Sequence, residues 1–241
     1  VWAGEAGTKT PFSVVYLHGF SASLEEIRPV PDRVAETLGA NLFYTRFTGH
    51  GRDGAAMTEP RAGDWINDTA EALEVGRRLG ERVIVISTST GATLASLAET
   101  AKTQDTEIAA HVMISPNFAL NSRLAFLLDL PAVRYWAPLV AGKEAGFEPV
   151  NDQQEYFWTT RYPTQAVMPM AALVRENRGR DVALARAPAL FLISDEDKVV
   201  RPDVTRRISE NWGGGGTVVQ LRLGEGDDPY KHVLAGDIVS P

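Results

Sequence analysis

The chain has no cysteine in its 241 residues. Disulfide staples, thiolate-bound metals and a cysteine nucleophile are therefore excluded. No apolar run approaches the length needed to cross a bilayer. There is no lysine- or arginine-rich block, no internal repeat and no low-complexity linker. With a net charge of −7, neither nucleic acid nor an anionic membrane surface is expected as the main partner. Histidine is scarce, with four residues, so any search for a catalytic imidazole is short. An initiating methionine is missing too: the chain opens at Val1, and an upstream segment such as a signal peptide, an anchor or a tag is expected. Localisation is accordingly left open between cytoplasmic and exported or anchored, with membrane contact expected only through such a segment. Oligomeric state is left open as well.

What remains is ordinary for one globular α/β domain: 44% hydrophobic and 23% charged residues. Strand-like apolar runs recur at 12–17, 41–46, 82–87, 111–114, 189–194 and 217–223. Helix-like stretches fall between them at 25–38, 64–79, 92–103 and 202–212. Strand and helix in alternation predict right-handed crossovers and a mostly parallel sheet flanked by helices. Four glycines at 213–216 lead into a strand and not a helix, so a flexible connection is expected there and not a phosphate cradle. The alternation breaks between 116 and 187, a stretch without clear strands, rich in large apolar side chains such as Phe147, Phe157, Trp158, Tyr162 and Met170. Short helices are expected in it at 122–128, 132–140 and 164–177.

The most informative feature is Ile86-Ser87-Thr88-Ser89-Thr90-Gly91. A β-branched run stops, small residues follow, and a helix-forming stretch begins at once. A serine at that apex is carried on a tight bend with its hydroxyl above the sheet, and Ser87 and Gly91 are small enough to let strand and helix cross closely. Alone, the segment reads equally as a Ser/Thr-rich helix cap. Upstream, the first strand runs into His18-Gly19-Phe20-Ser21, and the second ends in Gly49-His50-Gly51. In order and spacing these three motifs resemble the α/β-hydrolase family over essentially the whole chain. They are closest to its esterase, thioesterase and monoacylglycerol-lipase-like branch. Ser87 stands where the usual G-x-S-x-G has its first glycine.

The resemblance implies an α/β-hydrolase fold, with 1–115 and 188–241 as the core and 116–187 as a helical cap insertion. It implies Ser89 as nucleophile, with backbone N–H groups of Phe20 and Thr90 as the oxyanion hole. Of the four histidines, His18 and His50 fall in segments the family uses structurally. His111 begins a strand, and His232 follows the last strand, where the base belongs. Three acids compete in Ser194-Asp195-Glu196-Asp197-Lys198-Val199-Val200, and the family's pattern selects Asp197. Only nine residues follow His232, where the family usually adds a closing helix.

The activity implied is hydrolysis of small-molecule carboxylic esters of small to medium acyl groups, without cofactor or metal. Thioesterase, amidase or peptidase and acyltransferase chemistry on the same triad stay open, as does a non-catalytic binding protein of this fold. The insertion is expected to form a lid and one wall of an acyl pocket, with most of its aromatics in its own core and Phe20 near the opposite wall.

Overall fold

The computed structural model describes residues 1–101, 107–122, 125–130, 133–140 and 142–241. Its centre is a six-stranded sheet in the order β2-β1-β3-β4-β7-β8. The strands are β1 (Thr10–Leu17), β2 (Asn41–Tyr44), β3 (Gly80–Thr88), β4 (Ile108–Ile114), β7 (Ala189–Ile193) and β8 (Gly216–Gln220). Every pair within it is parallel. A parallel sheet is covered on both faces, and its strands are apolar on both. In β1, Val15 and Leu17 enter one core cluster with Trp65, Leu94, Met113 and Phe191. Val14 and Tyr16 enter the other with Ile27, Leu42, Ile86 and Ile114.

The chain leaves β1 toward β2 and returns to β3 on β1's other side. β1 and β3 are therefore the switch point, and the crevice beyond their carboxyl ends is where such sheets bind ligands. The loop His18–Ser21 and Ser89 both emerge there.

Helices α1 (Val30–Leu38), α2 (Ala62–Leu79), α3 (Thr90–Glu99) and α7 (Pro202–Glu210) flank the sheet. The first is shorter than the expected 25–38. Pro29 has no N–H and disfavours helical backbone in the residue before it, so the helix starts at Val30 with Pro31 in its first turn. Residues 24–29 are left as turns, which carry Glu26 into the interior. The third expected helix, 92–103, starts two residues earlier than read and ends at Glu99; Lys102 and Thr103 lie outside the described residues.

Residues 116–187 hold 3₁₀ turns at Ala125–Asp129, Thr164–Ala166 and Val182–Leu184. They also hold α4 (Val133–Val140), α5 (Asp152–Phe157) and α6 (Val167–Arg178). The expected helices at 122–128 and 132–140 correspond to the first turn and α4, with 123, 124 and Ala132 outside the described residues. Contrary to the reading of this stretch, it contains strands: β5 (Glu144–Gly146) pairs antiparallel with β6 (Arg161–Pro163). Three residues per strand are too few to imprint an alternation on the sequence. Its large side chains join the main clusters: Met170, Leu173 and Val174 enter the first, and Trp158 the second.

The glycines at 213–216 connect α7 to β8, as expected, but packing is what requires them. A Cβ on Gly213 would lie 2.1 Å from the Ala183 carbonyl oxygen, and one on Gly214 2.2 Å from that of Ala187.

Candidate active site

Ser89 stands between β3 and α3 at φ 51°, ψ −114°, a positive-φ conformation that L-residues seldom adopt. Its N–H donates to the Ile114 carbonyl, and its own carbonyl accepts from Thr93 and Asn117. The bend is thus held from both sides. Gly91 is demanded by the crossing: a Cβ there would lie 2.2 Å from the Leu17 carbonyl oxygen. Ser87 is fully buried, and its hydroxyl reaches the Val112 carbonyl at 3.4 Å.

The acid loop settles into one geometry. Asp195 and Glu196 are exposed, and Asp195 pairs with Arg206. Asp197 is buried, and its Oδ1 accepts from the N–H groups of Val199 and Val200 at 2.7 and 2.9 Å. Its Oδ2 faces His232 Nδ1 at 2.8 Å. A carboxylate only accepts, so Nδ1 carries the proton and Nε2 is free to act as a base. Burial alone would depress the imidazolium. The hydrogen bond and charge of Asp197, with the charges of Glu26 and Asp228, outweigh that and hold the His232 pKa above its ordinary value. No Ser89–His232 hydrogen bond occurs among the described residues; such contacts are often long before substrate binds.

The other three histidines are spoken for. His18 Nδ1 donates to the Gly19 carbonyl, and its Nε2 accepts from the Phe47 N–H. His50 Nε2 accepts from the Ser21 N–H at 3.0 Å. Both rings are neutral: burial, helped by His50, takes His18 down to about 3, and burial takes His50 to about 4. His111 is buried against the carboxylate of Glu99 at 2.9 Å, which also accepts from the N–H groups of Arg186 and Ala187.

The loop after β1 is pinned on both sides of Phe20. The Gly19 N–H donates to Glu26 Oε2 at 2.6 Å, the Ser21 N–H to His50, and the Ser21 carbonyl accepts from the Thr159 N–H at 2.8 Å. The Phe20 N–H has no partner among the described residues, and neither does the Thr90 N–H at the start of α3. A spare donor at a helix N-terminus, with a second in the loop after β1, suits a developing negative charge.

Ser89, Thr90, Phe20 and His232 line one cavity of about 290 Å³. From residues 116–187 it receives Asn117, Leu120, Gly146, Phe147, Gln154, Trp158, Tyr162, Val167 and Met170. Phe20, expected near the wall opposite that stretch, packs against it instead. Its ring meets Tyr162 edge-on, with centroids 5.1 Å apart, and also meets the rings of His50 and Trp65 edge-on. Among the described residues no group of three His, Cys, Asp or Glu side chains could hold a metal, and no helix is long and apolar enough to cross a membrane.

Three supporting residues escape a reading of the sequence. Asp228 is buried; its Oδ2 accepts from the N–H groups of His232 and Val233 at 2.8 Å each, and its Oδ1 from Tyr230. The Ser115 hydroxyl donates to the His232 carbonyl at 2.6 Å. Glu26 lines the cavity. The only advance signal for Asp228 is an aspartate before proline, which favours a side-chain-capped turn.

The sequence model described as alpha/beta hydrolase family matches residues 14–232. A search of curated protein sequences finds no match. Among solved structures, one from the work on the two metagenome-derived lipolytic enzymes LipS and LipT is 20% identical, with 95% of this chain and 88% of that chain covered at a TM-score of 0.73. The monoacylglycerol lipase of Paleococcus ferrophilus is 16% identical, covering 88% of this chain and 86% of its own at 0.65. Est1E of Butyrivibrio proteoclasticus, solved with ferulic acid bound, is 17% identical, covering 92% and 83% at 0.60. At these identities the likeness concerns the fold.

Proposed function

The chain belongs to the alpha/beta hydrolase family, and on that premise we propose that it is a serine hydrolase of carboxylic esters acting through an acyl-enzyme on Ser89. The observation that carries this reading is the 2.8 Å bond from His232 Nδ1 to Asp197, at a cavity that Ser89 also lines. In the reaction, Ser89 Oγ attacks the ester carbonyl while His232 Nε2 takes its proton. Asp197 holds the tautomer and stabilises the imidazolium. The carbonyl oxygen, now an anion, is received by the N–H groups of Phe20 and Thr90; one such donor is worth about 10²–10³ in kcat. His232 then protonates the leaving alcohol. Water, deprotonated by the same ring, releases the acid. Side chains and N–H groups of the chain carry every step, so the reading calls for no metal or cofactor.

In this reading residues 116–187 act as the cap on a core formed by 1–115 and 188–241. They supply Phe147, Trp158, Tyr162, Val167 and Met170 as an apolar wall. A cavity of about 290 Å³ is near the small end of ligand sites, which run from about 300 to 1,000 Å³, and fits small to medium acyl groups. The lining includes Glu26 and Asp228 and neither lysine nor arginine. That field disfavours substrates with a carboxylate or phosphate beside the scissile bond and favours neutral esters.

The test is a p-nitrophenyl ester series from acetate to palmitate, run beside matched thioesters and anilides. Esters are expected to be cleaved fastest, with an optimum at or below octanoate. A rate that climbs steadily to palmitate contradicts the size assignment, and preference for thioester or anilide contradicts the bond type.

A further inference from the structure

We propose that Glu26 is a positioning residue that sets the separation of the two oxyanion donors through a buried chain of hydrogen bonds from Gly19 to Thr88. The inference rests on the hydrolase reading above for its consequence, and on geometry alone for its cause. β1 and β3 pair in register as far as Leu17 and Ser87. Phe20 and Thr90 both lie beyond that point, so the sheet's own ladder does not fix the distance between their N–H groups. A side-chain bridge crosses the gap instead. Glu26 Oε2 accepts from the Gly19 N–H at 2.6 Å and from the Tyr16 hydroxyl at 2.7 Å. Since the tyrosine proton is spent on Glu26, the Thr88 hydroxyl donates to the Tyr16 oxygen, at 3.2 Å. The bridge therefore starts one residue before Phe20 and ends one residue before Ser89.

The fit is close. Glu26 is 3% exposed, Tyr16 and Thr88 are wholly buried, and a Cβ on Gly19 would lie 2.5 Å from Glu26 Oε1. A side chain at 19 would thus have to push the Glu26 carboxyl out of its place. From behind, Gly236 packs onto the same segment: its own Cβ would lie 2.8 Å from Ile27 Cα and 2.9 Å from the Glu26 carbonyl oxygen. Glu26 makes no hydrogen bond to Ser89, His232 or Asp197 among the described residues, yet it lines the cavity. Its alternative role is to exchange a proton or an ionic contact with substrate, and the two roles predict different behaviour on replacement by glutamine. Glutamine keeps a carbonyl oxygen that can accept from the Gly19 N–H and the Tyr16 hydroxyl, so it separates acceptance of these bonds from carboxyl chemistry.

The experiment compares Glu26→Ala, Glu26→Gln and Tyr16→Phe. It measures kcat and KM on the best p-nitrophenyl ester, and amide hydrogen exchange at Gly19. Glu26→Ala is expected to lower kcat by about 10- to 100-fold, below the full loss of an oxyanion donor, with KM nearly unchanged and Gly19 exchange accelerated. Glu26→Gln keeps an acceptor in place and should recover most of that loss, along with Gly19 protection. Tyr16→Phe should cost about tenfold in kcat, since the bridge is cut at its middle. The proposal is overturned if Glu26→Gln is as slow as Glu26→Ala, which would mark carboxyl chemistry. It is also overturned if Glu26→Ala keeps both kcat and Gly19 protection. Should the alanine variant fail to fold, Tyr16→Phe with unchanged kcat and exchange overturns it equally. A wild-type chain that cleaves no ester and takes no fluorophosphonate defeats the hydrolase reading instead, while the exchange comparison still decides whether Glu26 holds Gly19.

Discussion

One part of the cavity lining, the segments bearing Phe20 and His232, is tied down by hydrogen bonds of 2.6–3.0 Å from backbone N–H groups to buried Glu26, His50 and Asp228. The other part, from residues 116–187, presents Phe147, Trp158, Tyr162 and Met170 through apolar and ring contacts. Hydrogen bonds are directional and fix atoms to fractions of an ångström, which oxyanion and proton-transfer geometry requires. Apolar packing fixes volume more than direction and tolerates exchange of one side chain for another. Changes on the first wall should thus act on kcat, and changes on the second on which ester is preferred.

The largest break in this contrast is Ser89→Ala. It should lower kcat by about 10⁴-fold or more while circular dichroism and Tm stay unchanged, because triad members act as a unit. Asp197→Asn comes next, at about 10³–10⁴-fold, since the amide favours the wrong histidine tautomer. Asp195→Asn and Glu196→Gln, both exposed, should leave kcat within about threefold. A damaging Asp195→Asn would move the acid by two residues.

Asp228→Ala tests whether the polar wall is held as described. It strips the acceptor from three backbone N–H groups. The expected cost is a drop of roughly 6–12 °C in Tm by differential scanning calorimetry, together with a lower kcat. Phe147→Ala, on the apolar wall and half-buried, should leave kcat on the best ester within about tenfold and move the chain-length optimum to longer esters.

The gentlest probe is pH. The base works as neutral imidazole, and Asp197 holds the His232 pKa above its ordinary 6.5. Activity should accordingly fall as pH drops through a value above 6.5, and the acid limb of kcat/KM should report it. Linkage has the opposite sign for stability. The folded state binds this proton more tightly, so His232 contributes stability below pH 6.5 that is lost as pH rises through its folded value. His18 and His50 oppose it in acid: their folded values of about 3 and about 4 mean that stability falls as pH drops below 6.5 toward those values.

The polar wall was also the more legible of the two, in part. Ser89 announces itself because a β-branched run, a small-residue turn and a helix former meet within six residues, and the parallel sheet follows from strand–helix alternation. The family's loop pattern pointed to Asp197 among three acids, and in the structure its carboxylate faces His232 Nδ1. Glu26 and Asp228 were not legible. Their partners include backbone N–H groups, which carry no side-chain signature, and Glu26 lies in the turns that precede α1. In 116–187 the three-residue strands leave no period, and the stretch packs onto the main core and so shows no separate pattern of its own.

The central claim is that Ser89 is the nucleophile, activated from the hydrogen-bonded wall. It is tested most directly by treating the protein with a fluorophosphonate and locating the adduct by peptide mass spectrometry. One adduct per chain is predicted, on the peptide containing Ser89, lost in Ser89→Ala and strongly slowed in Asp197→Asn. Labelling that persists in Ser89→Ala, or ester turnover by a wild-type chain that takes no label, would contradict it.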